Sequence, residues 1–137
     1  MALSPRTRGL SLALCAWTLF TWFTRVPLLV RDHSLSVGGK VVSLVPVLIF
    51  VLGAVGVATA VLRRLDSAGQ AVLALAAWTV LYWPVRLAFV LTNDHPAAFY
   101  VVHAVLGLVA VTLSALAARG ALADGASLAR HRRRTLA

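Results

Sequence analysis

Apolar residues in this chain are gathered into four long runs, separated by short polar stretches. The runs cover about residues 9–30, 41–62, 70–92 and 97–118. Each is about 22 residues long, and about 20 suffice to carry an α-helix across a hydrocarbon core of ~30 Å. Four membrane-spanning helices are therefore predicted. The first polar stretch, 31–40 (RDHSLSVGGK), is glycine-containing and reads as a loop; 63–69 is a second, basic loop. Asn93-Asp94-His95-Pro96 has the Asx and proline chemistry of a tight turn. The stretch from Arg119 ends in Arg130-His131-Arg132-Arg133-Arg134 and reads as a mobile basic tail, 119–137.

Inside the first and third runs a pattern recurs. Trp17-Thr18-Leu19-Phe20-Thr21-Trp22-Phe23-Thr24-Arg25 returns 61 positions later as Trp78-Thr79-Val80-Leu81-Tyr82-Trp83-Pro84-Val85-Arg86. The shared form is W-T-x-x-x-W-x-x-R, and it contains all four tryptophans of the protein. An acidic dipeptide follows each copy, Asp32-His33 and Asp94-His95. The match between the second and fourth runs is weak. The fold class predicted is all-α: an integral membrane four-helix bundle built from two parallel-repeat transmembrane hairpins. Such repeats share one orientation, so a pseudo-twofold along the membrane normal would relate them, in contrast to inverted repeats.

Composition sharpens this picture. Hydrophobic residues make up 61% of the 137 and charged residues 12%, with a mean hydropathy of +0.90; soluble domains are nearer half apolar and a quarter charged. The near-exclusive use of Arg over Lys points to a GC-rich bacterial genome. A lone cysteine, Cys15, excludes an internal disulfide and a multi-cysteine metal site. Leu12-Ala13-Leu14-Cys15 only faintly resembles a lipoprotein box, because the residue before the cysteine is large. The first run is also long for a signal peptide and lacks a small-residue cleavage site.

The net charge of +9 is explained by topology before nucleic acid, for which no motif is present. Two basic residues lie in the head (Arg6, Arg8), two in the second loop (Arg63, Arg64) and five from Arg119 onward, against only Arg31 and Lys40 in the first loop. The positive-inside rule then places both termini in the cytoplasm of a multi-pass plasma-membrane protein. The basic tail would meet anionic lipid there.

On a helix, positions i, i+3, i+4 and i+7 share a face. Thr18, Thr21, Trp22 and Arg25 form one stripe, and Thr79, Tyr82, Trp83 and Arg86 the matching one. An arginine within a span nearly always faces the bundle interior or a watery cavity, so both stripes are predicted to point inward, with Leu, Val and Phe toward lipid. Counting ~1.5 Å per residue puts both arginines about 6 Å below the outer edge of a ~30 Å core. His103 falls in the same layer and heads a stripe of His103, Gly107, Ala110, Ser114 and Ala117 or Ala118 suited to helix packing.

Two readings follow. In the first, each arginine snorkels outward to pair with Asp32 or Asp94, shielded by Trp22 and Trp83, and only fixes depth and packing. The lean of helical side chains toward the N-terminus works against that direction. In the second, Arg25 and Arg86, with His103, Trp22, Trp83, Asp32 and Asp94 around them, form an outward-facing pocket for an anion, such as a lipid phosphate or a carboxylate. The guanidinium fork suits both. Pro27 and Pro84 beside the arginines would kink the helices and free carbonyls.

No catalytic residues, cofactor or metal site are expected. Ser-His-Asp, H-E-x-x-H and phosphate-loop patterns are lacking, and only His103 among the histidines near the motif lies within a span, which argues against haem. The expected function is a small non-enzymatic membrane protein, structural, accessory or lipid-contacting. The alternative is an anion or lipid-headgroup binding or transport protein using the arginine pocket. Expected partners are membrane lipids and a homodimer or larger membrane-protein partner, since four helices make a thin wall for a transport path. The paired W-T-x-x-x-W-x-x-R motifs, with Asp94-His95 and Val101-Val102-His103-Ala104-Val105-Leu106, resemble short four-span membrane proteins of actinobacteria of unknown function. That resemblance covers about residues 9–119 and implies no activity, cofactor or site residue. Fluoride-channel-like proteins and small multidrug transporters are set aside, because the Gly-Arg and Phe-rich signatures of the former and the first-helix acid of the latter are missing.

Overall fold

The structure is a computed structural model that describes residues 3–31, 33 and 36–135, with the backbone alone from residue 128 onward. Five helices follow one another: α1 Pro5–Phe23, α2 Arg25–Arg31, α3 Val37–Leu62, α4 Ala68–Leu91 and α5 Ala97–Thr135. Four stretches are long and apolar enough to cross a membrane: Pro5–Arg31, which joins α1 and α2, then Val37–Leu62, Ala68–Leu91 and Ala97–Ser127. The protein is thus all-α, with four candidate spans packed as a bundle.

Local chemistry explains where the helices begin. Ser4 caps α1 by accepting from the Thr7 amide, and Pro5 follows in the first turn, where its missing N–H is harmless. Ser36 caps α3 in the same way, accepting from the Gly39 amide at 3.1 Å. Both spans therefore start about four residues earlier than the apolar runs do. The α3–α4 connection is a tight reversal. Arg64 takes a left-handed φ of 55°, and the Leu65 and Arg64 amides donate back to Ala60 and Val61 carbonyls at 2.9 and 3.3 Å. This is the paired closure that ends many helices, here with arginine where glycine is usual.

The first span is not one helix. It breaks at Thr24, between α1 and α2. Pro27 lies four residues after Phe23, so it has no N–H for the Phe23 carbonyl, and its ring crowds that carbonyl. Pro84 and Pro46 leave α4 and α3 continuous. The last helix also departs from expectation. The sequence pattern ends it near residue 118, yet α5 continues through Arg119 to Thr135. Alanine, leucine and arginine beyond 118 favour helix strongly. The start of α1 also packs against this extension: the Ser4 amide donates to Asp124 Oδ2 at 2.8 Å, and Thr7 lies so close to Gly120 that a Cβ there would sit 2.6 Å from its hydroxyl oxygen. At ~1.5 Å per residue α5 far exceeds a ~30 Å core.

α1 packs against α3 and α5, and α4 packs against the same two, so α1 and α4 stand diagonally across the bundle. The core between them holds Leu14, Phe50, Val61 and Val72, all fully buried. Only 22–28% of each apolar window is buried inside the bundle, and Phe20, Leu52, Leu81, Phe89 and Leu108 are each more than half exposed. In water so wide an apolar surface would drive aggregation; against lipid tails it carries no such penalty. The start of α1 and the α3–α4 connection lie at one end of the bundle, where α5 continues past them. The α2–α3 and α4–α5 connections lie at the other, called here the distal end.

Candidate functional site

The two motif stripes turn inward. Thr18, Thr21, Trp22, Thr79 and Trp83 are buried, while Arg25, Tyr82 and Arg86 are half-buried. Trp22 stacks nearly parallel on Phe50, with ring centroids 4.5 Å apart. Tyr82 meets both rings edge-on, at 5.4 and 5.1 Å. Trp78 sits at the outer side of this group, 6.2 Å from Tyr82 and 6.1 Å from Phe50. These offset and edge-to-face geometries are the favoured ones for aromatic quadrupoles. They fix one wall of a cavity at the distal end.

That cavity has a volume of about 480 Å³, and Arg25 and Arg86 both line it, together with Trp22, Tyr82, Phe99 and apolar residues of α2 and α3. Among the described residues the lining contains two cationic side chains and no acidic one. Because α1 and α4 are diagonal, Arg25, at the start of α2 just beyond α1, and Arg86 on α4 come to face the same space. The sequence therefore brought together residues far apart in the chain.

The two guanidiniums are held differently. Arg25 hydrogen-bonds through Nη2 to His103 Nε2, and its guanidinium carbon lies 5.9 Å from the Trp22 ring centroid, within cation–π range. His103 Nδ1 is 2.9 Å from the Phe99 carbonyl oxygen. A carbonyl can only accept, so Nδ1 carries the proton. Nε2 is then the lone-pair side that accepts from Arg25. The neutral histidine thus serves as a positioned acceptor for a buried cation. Phe99 also lays its ring on His103, 4.0 Å away, and His95 continues the ladder at 4.2 Å from Phe99. Arg86, in contrast, makes no hydrogen bond or ion pair among the described residues.

The remaining predicted site residues are placed as follows. His103 is buried and heads the inner face of α5, where Gly107, Ala110, Ser114, Ala117 and Ala121 are buried in turn. Trp83 does not line the cavity. It is buried against α5, where a Cβ on Gly107 would stand 2.8 Å from its ring. Glycine is required there by this close approach. Asp94 is exposed in the distal turn and pairs with nothing among the described residues. Asp32 lies outside the described residues, and so does its expected pairing with Arg25. His33 is exposed. No group of three or more potential metal ligands occurs among the described residues.

Three contributors were not picked out from sequence. Phe50 belongs to the second run, whose repeat match is weak. Phe99 stands one helical turn before His103, a spacing that does mark neighbours on one face. Tyr100 clamps the distal turn, donating to the Asn93 carbonyl at 2.7 Å and accepting from the His95 amide at 3.0 Å. A scan of family models finds no match for this chain, and comparison with curated proteins and with solved structures likewise finds none.

Proposed function

We propose that this is a non-enzymatic plasma-membrane protein whose distal cavity binds the anionic headgroup of a lipid through Arg25 and Arg86. The observation that carries this reading is the lining itself: among the described residues, two guanidiniums and no carboxylate share one cavity of about 480 Å³, and Arg86 has no partner. A cation without a counter-charge at membrane depth is expensive. An anion between the two arginines would offset that cost and use the bidentate geometry of the guanidinium. The aromatic wall of Trp22, Tyr82 and Phe99 fits a ligand whose polar head passes into apolar material. With the termini cytoplasmic by the positive-inside rule, the cavity takes its lipid from the outer leaflet. The ring order of the helices is also what a pseudo-twofold between the hairpins α1–α3 and α4–α5 would generate, which supports reading the arginines as equivalent positions in a duplicated unit.

A second reading has one observation in its favour. The Arg25–His103–Phe99 chain of hydrogen bonds already gives Arg25 a structural partner, so this arginine could act as a packing element alone. The two readings differ at Arg86. In detergent, soluble dihexanoyl phosphatidylglycerol should raise the unfolding temperature of the wild type, following the logarithm of ligand concentration over Kd. Arg86→Gln should fold normally and lose that rise. An identical rise in Arg86→Gln, or no rise in the wild type, defeats the headgroup reading and leaves the structural one.

A further inference from the structure

A second cavity runs along the lipid-facing seam between α3 and α4. It measures about 320 Å³ and is lined by apolar and small residues, among them Ile49, Gly53, Gly56, Ala71, Ala74 and Trp78. No charged side chain among the described residues lines it. Its position relative to the arginine cavity is what matters. On α3 the arginine cavity takes Val42 to Val47 and the groove takes Ile49 to Val57. On α4 the cavity takes Tyr82 and Arg86 and the groove takes Ala71 to Trp78. The two spaces are therefore consecutive along the same pair of helices. Trp78 of the groove and Tyr82 of the cavity stand next to each other at the junction, with ring centroids 6.2 Å apart.

The lengths agree from both sides. Val42 to Val57 and Arg86 to Ala71 each correspond to about 22 Å of helix at ~1.5 Å per residue. One leaflet of hydrocarbon is about 15 Å deep, half of a ~30 Å core. A lipid whose phosphate is drawn down to buried arginines is displaced toward the midplane, so its chain must pass beyond its own leaflet. The groove lies along that path. We infer that the ligand of this protein is a whole anionic glycerophospholipid, with its phosphate between Arg25 and Arg86 and one acyl chain laid along the α3–α4 groove. This inference rests on the headgroup reading above and extends it to the chain.

The groove supplies selectivity more than affinity. Lipid tails are as apolar as the groove, so moving a chain from bilayer to protein gains packing contacts and little else. Small residues are what make those contacts close. A Cβ on Gly56 would meet nothing within 4 Å, so a larger side chain there enters the groove without disturbing the helix, and Ala74 offers the same change from the opposite wall.

The test compares dihexanoyl and dipalmitoyl phosphatidylglycerol for retention on the full chain by native mass spectrometry, with wild type, Gly56→Leu, Ala74→Leu and Arg86→Gln. The expected result is at least fivefold tighter retention of the long-chain lipid on the wild type. Gly56→Leu and Ala74→Leu should abolish that preference and leave dihexanoyl binding unchanged, while Arg86→Gln should weaken both lipids. A wild type with no chain-length preference, or a preference that survives both groove variants, overturns the acyl-chain inference while the headgroup reading stands. Retention of both lipids by Arg86→Gln at the wild-type level overturns the headgroup reading, and the inference falls with it.

Discussion

The two copies of W-T-x-x-x-W-x-x-R use the same residues in different ways. In the first copy, Trp22 lies flat on Phe50, the helix breaks at Thr24, and Arg25 is tied to His103. In the second, Trp83 presses into the space left by Gly107, the helix runs unbroken past Pro84, and Arg86 faces the cavity with no tie among the described residues. A proline after the arginine (Pro27) opens the chain; a proline before it (Pro84) does not. The lesson is that an identical motif sets depth and direction, whereas the residue across the interface decides whether the arginine is committed or available. His103 supplies an acceptor to Arg25, and nothing described does so for Arg86.

The strongest way to break this contrast is to remove the bed under Trp83. Gly107→Leu would drive a side chain into a rigid indole, and should lower stability by about 3 kcal/mol, at the upper end of ordinary overpacking. Thermal unfolding followed by tryptophan fluorescence measures it. A variant as stable as the wild type would mean that Trp83 has another place to pack. Next in size is Arg25→Leu, which strips His103 Nε2 of its donor in a buried setting and should cost about 2 kcal/mol, the scale for an orphaned buried polar group. A double-mutant cycle with His103→Leu should show that most of this loss is shared between the two residues. Additive losses would separate them. The smallest effect belongs to Arg86→Leu without added anionic lipid. With no described partner to orphan and one uncompensated cation removed, it should leave stability unchanged or raise it. A loss as large as that of Arg25→Leu would erase the asymmetry.

Much of the architecture was legible in the sequence because a membrane imposes coarse rules. Apolar runs of about 22 residues, broken by no more than one arginine each, mark candidate spans, and a charged residue within one is expected to turn inward. The α5 stripe from His103 to Ala117 was readable for a related reason: small residues mark close helix contact. What could not be read was tertiary. The W-T-x-x-x-W-x-x-R spacing predicts one depth for both arginines, but only the diagonal placement of the first span and α4 puts them on one cavity. Outward pairing with an Asp was a reasonable expectation from charge alone. At Arg86 the expected partner, Asp94, is instead exposed in the turn that Tyr100 clamps, and the Arg25–Asp32 pairing lies outside the described residues. The length of α5 was missed because the apolar run ends near 118, while helix formation follows propensity and the docking of α1 onto Gly120 and Asp124.

The asymmetry of the two arginines can be observed directly. With arginine and histidine side chains labelled with nitrogen-15 and assigned by Arg25→Lys, Arg86→Lys and His103→Gln, titration with dihexanoyl phosphatidylglycerol in detergent should move the Arg86 guanidinium resonances saturably. The Nε2 resonance of His103 should keep the shift of a hydrogen-bond acceptor throughout, because Arg25 stays tied to it while it contributes to the anion site. Arg86 resonances that do not move with lipid, or an Arg25–His103 bond that is already absent before any lipid is added, would contradict this account.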